Sequence, residues 1–190
     1  MELPVINHPD YVAKINDDNK FPIKKFGALA DHLLKARVIK KFHIPKECST
    51  KTMQTSHSLK YINHIRNKTL DIKLQKKIGF PINESVVRRS FVATGGTVLA
   101  SKLALDSKLA CNTAGGSHHA MFDYGAGYCV FNDVAVAANY LKDKGYAKRI
   151  LILDLDVHQG NGNSEIFQND KDVLTFSMHC ASNYPAKKSE

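Results

Sequence analysis

A chain of 190 residues with 43% hydrophobic and 24% charged side chains has enough apolar material for one packed domain and too much for a disordered segment. Its 27 basic against 18 acidic residues leave a formal charge of +9, but the doublets Lys40–Lys41, Lys76–Lys77, Arg88–Arg89 and Lys187–Lys188 are scattered and form no basic stripe with interleaved aromatics, so specific nucleic-acid binding is not expected. The N-terminus lacks a basic and then apolar leader pattern, no run approaches the roughly 18 apolar residues of a membrane span, and Cys48, Cys111, Cys129 and Cys180 are too dispersed for a zinc ribbon or disulfide framework; a cytoplasmic protein with reduced, mostly buried thiols and no membrane contact is expected.

The first 80 residues alternate short apolar stretches with Pro-punctuated turns. Leu29, Leu33, Leu34 and Val38 recur at helical spacing within residues 26–42, and residues 58–70 suit a shorter helix. A long helix is expected from Glu84, with Val87, Phe91, Val98, Leu99 and Leu105 on one stripe. Gly95 and Gly96 interrupt it at some cost in propensity, for which close packing against a neighbour would be the reason. A short strand, "LACNTA", leads into Gly115 and Gly116.

Asn132 or Asp133 can cap the next helix, "VAVAANYLKDK", and Gly145 is its stop signal. "RILILDLDVH" is nearly all apolar in its first half and reads as a strand buried on both faces. Val173–His179 reads as a further strand. This order predicts an α/β domain with a mainly parallel central sheet flanked by helices, in which ligands gather at the carboxyl ends of strands.

Two polar clusters sit at such ends. His118 and His119 follow one strand; Asp154, Asp156 and His158 end the other, spaced so that they share one side while the chain stays extended. Carboxylate and imidazole are zinc donors, which makes Asp156 and His158 candidate ligands, and a neighbouring imidazole can take a proton from a metal-activated water and return it to a leaving amine. Taken alone, a strand-terminal Asp reads more readily as a cap or turn residue, and a His pair as two polar loop residues. A buried Asp154, however, demands a partner.

With "HPDY", "GGSHHA", "GYCVFNDVAVAA", "DLDVHQGNG" and "TFSMH" in that order, the chain resembles the histone deacetylase family of the arginase–deacetylase superfamily, and "HQGNG" is similar to its class IV and bacterial members. The resemblance implies that Asp156 and His158 bind zinc and that His119 is the general base with His118 as electrostatic partner or acid. It implies further that Asp154 orients His118 and helps hold a structural potassium ion, with Ser177 and the carbonyls of Asp156, His158 and Met178. Gly127 and Tyr128 would form the substrate channel, with Tyr184 as an opposing wall. Asn161 stands where many relatives carry the aspartate that pairs with the second histidine, so a weaker base is expected.

The family's third zinc ligand, an aspartate, and its catalytic tyrosine belong to a later segment that this sequence does not contain. Residues 1–190 therefore read as a single incomplete deacetylase-like domain, truncated at the C-terminus, weak or inactive alone, and open to completion by a C-terminal chain. The function implied is zinc-dependent hydrolysis of acetyl-lysine or a related acetylated amine. Two other readings stand beside it: a non-catalytic remnant or binding module of the same fold, and a ureohydrolase-like enzyme with two manganese ions. The last needs another carboxylate near His158, where Gly160 stands.

Overall fold

A computed structural model describes residues 3–189. β1 (Val5–Ile6) is followed by five helices, α1 (Lys25–Lys35), α2 (Thr50–Met53), α3 (Leu59–Arg66), α4 (Ile72–Ile78) and α5 (Glu84–Ser107). Then come β2 (Cys111–Asn112), α6 (Asp133–Asp143), β3 (Ile150–Asp154), α7 (Asn161–Phe167) and β4 (Val173–Ser177). Strands pair in parallel, as the alternating pattern predicts, but in two ladders, β1 with β2 and β3 with β4.

Side chains start the helices. Ser49, Ser58, Asp71 and Asn83 each accept a backbone N–H of the first turn of α2 to α5, a contribution of about 1 kcal/mol apiece. At α6 the cap is Asn132, which accepts the Ala135 N–H, while Asp133 is the first helical residue. Gly145, at φ 69°, lies one residue past the C-cap Lys144.

α5 differs from its expected stripe. Its first half is buried on every side but that of Arg88, from Val86 and Val87 through Phe91, Val92 and Ala93 to Gly96, whereas Leu105 is exposed. A helix enclosed on nearly all sides has no stripe to display, and Phe91 packs at its centre against Phe131 and under the Arg66 guanidinium. The glycine pair does mark close packing: a Cβ on Gly95 would stand 2.0 Å from the Lys46 carbonyl, and one on Gly96 2.1 Å from the Tyr11 hydroxyl. α1 also departs from expectation. It ends at Lys35, Arg37 takes a left-handed φ of 54°, and Leu29, Leu34 and Val38 are exposed while Phe26 and Ala30 face the core.

β3 is covered on one face only. Ile152 and Val173 are buried with Ala135 and Ala138 of α6 and Phe167 of α7. On the other face Leu151, Leu153, Leu174 and Phe176 are exposed, in the register Leu151↔Leu174 and Leu153↔Phe176. The strand thus has the apolar content of a doubly covered one, and the described residues bring a cover to one side. A contiguous apolar face of this kind drives association. We expect concentration-dependent self-association in sedimentation velocity, and its loss in the double variant Leu174→Lys, Phe176→Lys; association that survives both lysines would place the sticky surface elsewhere.

All four thiols are free; Cys48 and Cys129 are buried, but Cys111 and Cys180 are exposed, fewer buried than the sequence suggested. No helix among the described residues is long and apolar enough to cross a membrane.

Candidate active site

The loop after β2 and the loop after β3 meet where the parallel strands end. His118 Nδ1–H donates to Asp154 Oδ2 at 2.6 Å, and His119 Nδ1–H donates to Asn161 Oδ1 at 2.7 Å. The two rings lie 4.1 Å apart. Each imidazole is therefore held through one nitrogen, which fixes its tautomer and leaves Nε2 free for chemistry.

Asp156 and His158 join this pair by a route other than strand alternation. β3 ends at Asp154, after which the chain turns: the Asp156 N–H donates to Asp154 Oδ1 at 3.1 Å and the His158 N–H to Asp156 Oδ1 at 2.8 Å. These side-chain-to-backbone turns, which Asp favours, bring His158 Nδ1 within 2.9 Å of Asp156 Oδ1, itself 3.8 Å from His118 Nε2. Both side chains stay half-exposed. Among the described residues, no group of three His, Cys, Asp or Glu side chains is arranged to hold a metal.

Gly127, Tyr128 and Tyr184, expected to form a channel, lie beside the same histidines. A Cβ on Gly127 would lie 2.6 Å from His119 Cδ2 and 3.1 Å from Tyr184 Cε1, and φ there is +52°, so glycine is required twice over. Tyr184 meets His119 edge-on, with centroids 4.8 Å apart. Tyr128 packs on Phe21 and Phe80. Phe21, Gly127 and Tyr128 line a cavity of about 370 Å³ that reaches His118, His119, Asp156 and His158. Across the ladder Ser177 pairs with Asp154, its hydroxyl accepting the Gly160 N–H at 3.2 Å, and the Met178 N–H donates to the Asp154 carbonyl at 3.0 Å.

Electrostatics separate the two histidine partners. Burial opposes ionisation of Asp154, but its hydrogen bond to His118 and the charge of that ring outweigh it and hold the carboxyl below its usual range. Burial pushes His119 down to about 4, with His118 beside it adding to the shift and the Asn161 hydrogen bond opposing it. His119 is thus a neutral imidazole at pH 7, able to accept a proton. Cys129 also lines the cavity, but burial pushes its thiol up to about 12, which removes it as a competing nucleophile.

Three supports of the site carry no ligand spacing in the sequence. Asp133 is 1% exposed, and its carboxylate accepts the N–H groups of Gly116 and Ser117 and the Thr97 hydroxyl, clamping the loop that presents the histidines. Its place at the N-terminus of α6 further stabilises the charge. Asn132 Nδ2 donates to the Ala120 carbonyl and to Asn163 Oδ1, and Asn163 Nδ2 reaches Asp154 Oδ2. Buried His57 donates from Nδ1 to the Met121 carbonyl and accepts the Asn132 N–H at Nε2.

Comparison with known proteins gives the family and the fold. A histone deacetylase domain model matches residues 20–190. The chain is 45% identical over 190 residues to an uncharacterized protein of Picosynechococcus sp., covering 99% of this chain and 63% of the relative. It is 29% identical over 178 residues to the acetoin utilization protein AcuC of Staphylococcus aureus, covering 87% of this chain and 46% of that one. A solved histone deacetylase homolog complexed with SAHA superposes with a TM-score of 0.84 at 26% identity, over 99% of this chain and 54% of that structure. The chain thus spans less than two thirds of these relatives, and its α/β fold is theirs over the shared length.

Proposed function

Because the chain belongs to the histone deacetylase family, we propose that its site hydrolyses the amide of an acetylated lysine or a related acetylated amine, with zinc as cofactor. The observation that carries this reading is the pair His118–Asp154 and His119–Asn161, two imidazoles each anchored at Nδ1 beside an Asp156–His158 donor pair.

Asp156 Oδ1 and His158 Nδ1 suit adjacent positions on one zinc ion, being an oxygen and a nitrogen donor at 2.9 Å with open surfaces. They are two of the three protein ligands a catalytic zinc uses. We assign the third ligand and the oxyanion-stabilising tyrosine to the part of the relatives' length that residues 1–190 do not span, and read these residues as one deacetylase-like domain whose site a further C-terminal segment would complete. When bound, zinc acidifies a water and polarises the scissile carbonyl. His119, kept neutral by burial, would take the water's proton at Nε2 and return it to the leaving amine, with His118, oriented by Asp154, as its electrostatic partner. Gly127 and Tyr128, opposite Tyr184, embrace the acyl-amine stem and exclude water. To Asp154 and Ser177, with the carbonyls of Asp156, His158 and Met178, we assign the oxygen donors that a structural potassium ion would take.

A second metal of the ureohydrolase kind is disfavoured. A Cβ on Gly160 would stand 2.1 Å from Asp154 Oδ2, so no carboxylate fits there.

The test measures zinc stoichiometry and hydrolysis of an acetyl-lysine amide, for the chain alone and mixed with the part of the Picosynechococcus relative that residues 1–190 do not match. We expect about one zinc and turnover in the mixture, with His119→Ala lowering the rate by about 10²-fold or more. Absence of zinc and of turnover in both samples would leave the non-catalytic binding module as the reading.

A further inference from the structure

Part of the wall of the candidate site is basic. Of the charged side chains lining the cavity besides the histidines, Lys20, Lys25 and Arg89 are cations and Asp156 is the one carboxylate. Asp156 is already engaged with His118 and His158. A cation entering the cavity therefore finds no free acidic partner there.

The three basic groups are themselves without counter-ions among the described residues, and their chain neighbours show that this is a local property. Lys24 pairs with Asp17 at 3.6 Å, and Arg88 with Asp10 and Glu47, and none of these residues lines the cavity. Lys25 instead holds its Nζ 4.9 Å from the Phe21 ring centroid and 5.3 Å from that of Phe26. Arg89 is 7% exposed, lies 4.9 Å from the Phe26 centroid and donates from Nε to the Tyr11 carbonyl. Cation–ring contacts hold these groups in position without neutralising them. A guanidinium stays charged even when desolvated, so Arg89 adds positive potential from below while Lys20 and Lys25, both exposed, stand at the mouth.

We infer that the substrate of this site carries an anionic group, a carboxylate or a phosphate, close to its acylated amine, received at the mouth by Lys20 and Lys25. This rests on the deacetylase reading for the acyl amide alone. Lysine- and arginine-rich tails and polyamines would bring their positive charges against the same three cations, and like charges across a binding surface select against a partner.

The experiment is calorimetric titration of the full chain at low salt with two short peptides centred on acetyl-lysine, one flanked by glutamates and one by arginines. A third titrant is the glutamate peptide with unmodified lysine. Nε-acetyl-lysine and acetylcadaverine, alike except for the free carboxylate, form the small-molecule arm. The glutamate peptide should bind about tenfold or more tightly than the arginine peptide, and the gap should narrow at high salt, because exposed charges are screened beyond about 8 Å at physiological ionic strength. Lys20→Glu with Lys25→Glu should reverse the preference while leaving the unfolding midpoint unchanged, since both side chains are exposed. Discrimination in the small pair as well would place the anion on the substrate's own amino-acid end, and discrimination in the peptides alone would place it on neighbouring residues; both support the inference. Glutamate-peptide binding that ignores acetylation would retain the anion-binding basic wall and count against the deacetylase reading. Equal affinities, tighter arginine-peptide binding, or no binding of any titrant would overturn the inference.

Discussion

Gly162→Ala is expected to destabilise the protein by about 3 kcal/mol, against the direction that helix propensity alone dictates. Gly162 is the second residue of α7. In a helix, alanine is better than glycine by about 1 kcal/mol, so an open site would gain stability from the change. Here the added Cβ would stand 2.4 Å from the Ala120 carbonyl, 2.5 Å from the His118 carbonyl and 2.9 Å from the His119 carbonyl carbon. These are backbone atoms and cannot swing aside, so the histidine loop or α7 must shift. The Gly162 N–H also donates to the His118 carbonyl at 2.8 Å, a bond that draws the two segments together and is lost if they part. Gly145→Ala is the control: φ there is +69° and no atom lies within 4 Å of its Cβ, so left-handed strain alone should cost about 1 kcal/mol. The measurement is the urea midpoint of each variant, with the imidazole proton shifts of His118 and His119 followed by NMR. Gly162→Ala should lower the midpoint more and move both rings. A midpoint at or above that of the parent would mean that α7 and the histidine loop do not approach this closely.

That glycine marks the boundary between what the sequence discloses and what only the folded chain does. The order of α1, α3, α5, β2, α6, β3 and β4 was legible from periodicity, although β1, α2, α4 and α7 were not, and the association of "GGSHHA" with "DLDVHQGNG" followed from both lying after strands of one parallel fold. Local chemistry sufficed there, because a strand's end and a helix's cap are written within a few residues. Convergence was less legible. Strand alternation was the wrong reason to group Asp154, Asp156 and His158, since the chain leaves the strand at Asp154 and Asx-type turns do the gathering. Burial was least legible of all. The apolar run of β3 fits a doubly covered strand, yet whether a cover is present depends on other segments; the same uncertainty makes α5 enclosed rather than amphipathic. Asp133 could be recognised as a cap candidate, but its use as the clamp on Gly116 and Ser117 is a contact across 16 to 17 residues that no local pattern encodes.

His57 is the strongest case of that kind, and it carries the largest expected pH effect. In the sequence it is one histidine among several with no ligand spacing. In the fold it is 0% exposed, and burial pushes it down to about 4 in spite of the Met121 carbonyl that accepts its Nδ1–H. Both ring nitrogens are engaged as in the neutral form, since Nε2 must keep its lone pair to accept the Asn132 N–H. Protonation would set an N–H against another N–H at the N-terminus of α6. The unfolded chain binds this proton near pH 6.5 and the folded chain only near pH 4, so the unfolded state holds more protons between those values and stability falls as pH drops through that window. A depression of this size corresponds to a loss on the order of 3 kcal/mol by pH 4, at 1.36 kcal/mol per unit. His119, also pushed down to about 4 but less enclosed, adds a smaller contribution of the same sign. His57→Gln offers an amide donor and acceptor without a titrating group. It should be less stable than the parent at pH 7, because the ring's packing against Tyr61 and Phe131 is lost, and yet its urea midpoint should decline less between pH 6.5 and 4. Parallel pH profiles for parent and variant would show that the acid sensitivity lies elsewhere. Because His57 links the Met121 carbonyl to the Asn132 cap, its protonation should loosen the histidine loop before the rest of the domain opens, with the His118 and His119 resonances broadening ahead of the global transition.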